Sequence, residues 1–146
     1  MLFWLHSACA ETAWEKYLEN PAPKQAALVN KVETSDKGDS GGDYELQILQ
    51  NQVLAQDSQA FILAYRLYKS SDGGLAEDLG ALLARSIRVH PQFFLQQVSL
   101  LNIPCSKLSW VLNTPGLEYT DRPNAKHYEM SMRKKALRGR ANKRAC

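Results

Sequence analysis

From Tyr44 to Leu112 the apolar residues recur at helical spacing, and turn-forming residues interrupt them. Leu46, Leu49 and Val53 share one helical face. Asp57 or Ser58 can then cap a helix in which Phe61, Ala64, Tyr65 and Tyr68 lie three or four residues apart. Asp72-Gly73-Gly74 predicts a tight turn, because glycine reaches left-handed angles without steric cost. Leu75, Leu79, Leu82, Leu83 and Ile87 form the cleanest amphipathic stripe of the chain. Pro91 breaks that helix after His90 and suits the first position of the next, where Phe93, Phe94, Val98 and Leu101 continue inward. Pro104 marks another restart, with Ser106 as cap before Leu108, Val111 and Leu112; Thr114-Pro115-Gly116 ends the block.

The flanks are shorter and more polar. Glu11 to Leu18 reads as a helix stopped by Asn20-Pro21. Pro23 opens a second helix that carries Ala26, Ala27 and Val29 to about Val32. Arg122-Pro123 starts a last one through Ala125, Tyr128, Met132 and Leu137. Strand alternation is nowhere convincing. The expected fold is all-α: an antiparallel helical-hairpin bundle or short α-solenoid of six to seven helices. From Ser58 the helix pairs resemble the layout of HEAT or TPR arrays. The TPR signature residues are absent and the units are unequal in length, so the likeness is architectural and names no family.

A chain of 146 residues with 45% apolar and 23% charged residues fits one globular domain with a real core. Residues 11–116 are expected to form it. Residues 34–43 (TSDKGDSGGD) are expected to be a flexible loop within it. The glycines there match neither phosphate-binding pattern, and no strand precedes them. No stretch approaches the roughly 18 consecutive apolar residues of a membrane span.

Residues 1–10 (MLFWLHSACA) differ from the rest of the chain. A short apolar run precedes Ala8-Cys9-Ala10, a pattern that signal peptidase accepts, although a basic start and a full apolar stretch are missing. An export remnant fits this pattern, as does a lipoprotein signal with Cys9 acylated. A native N-terminal turn fits it too. The first two place the protein in the bacterial periplasm or outside the cell, and the third leaves it in the cytoplasm.

Charge is distributed unevenly. Residues 1–121 hold nine Lys/Arg against fourteen Asp/Glu, a balance of −5; residues 122–146 hold nine against Glu129 alone, a balance of +8. Residues 117–146 are therefore expected to be a basic extension, frayed or disordered from Arg133 onward. Arg133, Lys134, Lys135, Arg138, Arg140, Lys143 and Arg144 are the candidate partner-binding residues. They suit phosphates, anionic lipid or an acidic protein. No aromatic interleaves the final stretch, so base stacking has no support there. A solvated tail without a dedicated partner is the simplest alternative.

Catalytic chemistry has little to stand on. None of His6, His90 and His127 has a second His, Cys or carboxylate at i+3 or i+4 on an obvious shared face, Cys9 three residues after His6 included, whereas a zinc site needs three or four converging groups. His90 reads as a helix-junction residue beside Pro91. Cys9, Cys105 and Cys146 form no CxxC motif; with Cys9 removed by export, a Cys105–Cys146 disulfide becomes arithmetically available. Glu77 and Asp78 are adjacent on a helix and so point about 100° apart, which suits the helix dipole better than acid–base work. The aromatic residues Trp14, Tyr17, Tyr65, Tyr68, Phe93, Phe94 and Trp110 lie mainly on apolar stripes, as core residues do. No cofactor is implied.

The expected function is a non-catalytic scaffold or interaction protein that presents a helical surface to a protein partner, exported if residues 1–10 are a signal remnant. An inhibitor or immunity-type protein is one concrete form. The alternative is a nucleic-acid-associated protein that uses its basic tail, which export would make improbable.

Overall fold

A computed structural model describes residues 11–33, 41–113 and 121–138. Eight helices and no strand lie among them: α1 (Ala13–Glu19), α2 (Pro23–Leu28), α3 (Gly41–Leu54), α4 (Ser58–Ser70), α5 (Gly73–Val89), α6 (Pro91–Leu100), α7 (Cys105–Asn113) and α8 (Pro123–Arg138). The fold is all-α, with one helix beyond the expected six to seven. α5 packs against α3, α4, α6, α7 and α8, and so lies at the centre of a helical bundle.

Local signals explain most boundaries. The Thr12 hydroxyl accepts from the Glu15 backbone N–H at 3.1 Å, and the Glu15 carboxylate accepts from Thr12 N–H at 2.8 Å. This capping box satisfies two of the orphan donors that start α1. Asp57 Oδ1 accepts from the N–H groups of Gln59 and Ala60 at 2.7 and 3.0 Å, capping α4. Gly73 has φ +52°, as its turn requires, although the Asp72 side chain makes no capping bond. His90 is both the last cap of α5 and the first of α6, and Pro91 starts α6 where a missing N–H costs nothing. The chain turns between these helices within a single residue.

The core forms where the periodicity places it. Leu49 and Val53 of α3, Phe61, Leu63, Ala64 and Leu67 of α4, and Leu79, Leu82, Leu83 and Ile87 of α5 are all buried. Phe61 meets Phe93 and Phe94 edge-on, at 5.8 and 5.9 Å between ring centroids. Such pairs add roughly 0.5–1.5 kcal/mol beyond the area they bury. Trp14 and Tyr17 stack at 5.8 Å and close the bundle under α1. Trp14 also donates from Nε1 to Glu45 at 2.8 Å, tying α1 to α3.

Four expectations need correction. α2 stops at Leu28, not near Val32, because the Arg66 guanidinium of α4 takes the carbonyls of Ala26 and Val29 at 2.6 and 2.7 Å. Val29 is thereby extended and fully buried. α7 begins at Cys105, so Ser106 is inside the helix and not its cap. α3 begins at Gly41, within the segment expected to be loop; residues 34–40 lie outside the described residues. The basic segment from Arg133 does not fray at once: α8 continues to Arg138, and Arg133 is buried.

Candidate interaction surface on the last helix

α8 differs from the rest of the bundle in what it buries. Its two buried residues are Glu129 and Arg133, one turn apart. Glu129 Oε1 accepts from Arg133 Nε at 2.9 Å, and Glu129 Oε2 accepts from Arg88 Nε of α5 at 3.1 Å. One carboxylate thus bridges an arginine of its own helix and one of the central helix. The Arg133 side chain is only 3% exposed, the Arg88 side chain 32%. Charged groups in such a place are stable only when paired, and removing one partner leaves the others desolvated. Ala125, Met130, Met132, Ala136 and Leu137 flank this pair, half-buried; Leu137 packs against the core, and α8 as a whole meets α5, α6 and α7.

The inward turn of Glu129 determines the outer face. It is the sole acidic residue of α8, and it points into the bundle. Asn124, Tyr128, Ser131, Lys135 and Arg138 follow one another at helical spacing, and all are exposed. Lys134 flanks the stripe, while Arg122 and Lys126 are exposed near the helix start. Among the described residues, no carboxylate pairs with Lys134, Lys135 or Arg138. Their place in the last turns complements the helix dipole, which helps to hold the helix to its end. The result is a basic ridge whose charge is not neutralised from within.

The seven basic candidates therefore divide. Lys134, Lys135 and Arg138 stand together on the ridge. Arg133 is withdrawn from it and serves the fold. Arg140, Lys143 and Arg144 lie outside the described residues. So do Cys9 and Cys146, and the side chain of Cys105 on α7 is likewise outside, so the lipidation and disulfide expectations concern undescribed parts. Residues 1–10, with His6, are also outside. His90 sits at the α5–α6 junction through its backbone: its N–H donates to Ser86 and its carbonyl accepts from Phe94. His127 is exposed on α8. Among the described residues, no group of three or more His, Cys, Asp or Glu could hold a metal ion, and no helix is long and apolar enough to cross a membrane.

Two features of the surface are not evident from the sequence. The Glu129–Arg133 spacing of i, i+4 is a readable signal for an intrahelical pair, but Arg88 lies 41 residues away and has no local signature. Tyr128 is 63% exposed, on the outer stripe and not the inner one. Comparison with known proteins finds no matching family model, no similar curated protein and no similar solved structure.

Proposed function

We propose that this chain is a non-catalytic helical interaction protein that binds an acidic macromolecule through the outer face of α8. The supporting observation is the uncompensated ridge of Lys134, Lys135 and Arg138 on a helix that is otherwise docked into the bundle. A solvated tail would not need its only carboxylate turned inward to anchor the helix that carries the charge. Complementary charge of this kind governs encounter rate and choice of partner more than affinity. The two readings of residues 1–10, export remnant or native turn, separate the compartments. Loss of those residues in the intact mass of the protein from its host marks export.

The test compares two triple variants of equal net charge. One reverses Lys134, Lys135 and Arg138 to Glu; the other reverses Lys16, Lys24 and Lys107, which are exposed on other helices. Binding of poly-glutamate at low salt is followed by fluorescence anisotropy. The α8 variant is expected to lose binding at least tenfold more than the matched variant. Equal losses would mean that net charge alone attracts the probe, and the ridge would then not be the site.

A further inference from the structure

Resting on the proposed surface, we infer that its occupant is a single-stranded nucleic acid, with phosphates on Lys134, Lys135 and Arg138 and a base on Tyr128. Cations alone do not separate phosphates from carboxylates. The ring of Tyr128 does. The residue is 63% exposed, and among the described residues no ring or cation packs on it. The contrast is Tyr65, half-buried, near Tyr68 and covered by Lys69 at 5.2 Å from its centroid.

Tyr128 shares the outer stripe with Lys135, seven residues on, and Arg138, ten on. At a rise of 1.5 Å per residue these lie about 10 and 15 Å along the axis from the ring. Ser131, between them, donates its hydroxyl to the Tyr128 carbonyl at 2.7 Å and adds no charge to the stripe. Sequence-tolerant single-strand binders combine these two elements, a cationic track for the backbone and an aromatic face for a base. A duplex keeps its base faces stacked inside and would leave Tyr128 unused. An acidic peptide would use the cations and gain no stacking. The occupant requires the cytoplasmic alternative for the compartment.

The experiment uses the full chain and three probes of equal charge: an oligothymidine strand, an abasic strand of the same length, and poly-glutamate. The oligothymidine strand is expected to bind about tenfold more tightly than the abasic one. Tyr128→Ala is expected to abolish that difference, and Tyr128→Trp to preserve it. Replacing Lys134, Lys135 and Arg138 by Ala should make the salt slope for the oligothymidine strand shallower by about 2. Equal affinity for the base-bearing and abasic strands would overturn the stacking inference while leaving the basic surface intact. Poly-glutamate binding as tightly as the oligothymidine strand would transfer the surface to an acidic protein. An unchanged salt slope in the alanine variant would overturn the surface itself. Loss of residues 1–10 in the host would also overturn the nucleic-acid occupant.

Discussion

α5 and α8 pack against each other, yet opposite means hold them in place. α5 buries Leu79, Gly80, Leu82, Leu83, Ala84 and Ile87, and its one buried polar side chain, Ser86, is satisfied within its own helix by the Leu83 carbonyl. α8 buries Glu129 and Arg133. Apolar burial is non-directional and adds up over many contacts. An ion pair is directional, and its worth depends on every partner being present. The central helices therefore carry the stability of the bundle. α8 adds a cluster of three charged side chains to its half-buried apolar contacts, so its docking depends on charge where theirs does not. Free energies of local opening commonly differ in this way across one fold.

The largest effect is expected at the apolar end of that comparison. Phe61→Ala removes a ring that is 1% exposed and in contact with Phe93 and Phe94. The cost should be about 3–5 kcal/mol, read as a shift of the whole denaturant transition. A loss below about 1 kcal/mol would show that α4 and α6 do not form a common core.

Glu129→Ala tests the other end. It removes the carboxylate that buried Arg133 and half-exposed Arg88 share. Breaking a buried pair costs about 3–5 kcal/mol, but here the loss is capped by the free energy of releasing α8. Hydrogen exchange should accelerate across residues 123–138 and remain slow across 58–89. Replacing the pair by apolar residues, as Glu129→Leu with Arg133→Met, should restore slow exchange, because the desolvation cost of the charges disappears with them. Uniform acceleration over both regions would mean that α8 belongs to the same cooperative unit as α5.

The same contrast explains what the sequence could and could not convey. Apolar stripes are local and periodic, so α4, α5 and α6 were legible from Phe61, Leu79, Leu83 and Phe94. So was the Asp57 cap, whose acceptor lies two and three residues from its donors. Long-range polar contacts have no period. Arg66 ends α2 from 37 to 40 residues away, and Arg88 reaches Glu129 over 41. A basic run looks uniformly exposed because nearly every position is polar, yet a helix turns one of those positions inward. Of the candidate surface, Lys134, Lys135 and Arg138 were legible as charge; the exposure of Tyr128 was not, because an aromatic at helical spacing reads as core.

A smaller effect is expected at that legible cap. Asp57→Ala leaves the N–H groups of Gln59 and Ala60 without their acceptor, at a cost of about 1 kcal/mol in the same denaturant transition. Asp57→Asn should recover most of it, since the amide oxygen can accept the same bonds. No loss in the alanine variant would mean that α4 is held by packing alone.

The smallest effect, and the one with a sign that changes the test, lies at Tyr17. Its ring is 1% exposed and its hydroxyl is buried without a hydrogen-bond partner. Tyr17→Phe removes that unsatisfied group and should raise stability, by up to about 1 kcal/mol at neutral pH. Burial, helped by the nearby Asp57 carboxylate, pushes the Tyr17 phenol from 10.0 up to about 12. Below pH 10 the phenol is neutral in both folded and unfolded chains, so it adds no pH dependence. Between pH 10 and about 12 the unfolded chain releases its proton while the folded one keeps it, and stability falls as pH rises. Burial also raises the phenols of Tyr65 and Tyr68, which remain in both proteins. Melts of the two proteins from pH 8 to 12 should therefore run parallel below pH 10 and diverge above it, with the phenylalanine variant losing less. Parallel behaviour throughout would place the Tyr17 hydroxyl in water, and α1 would then not close the bundle at that end.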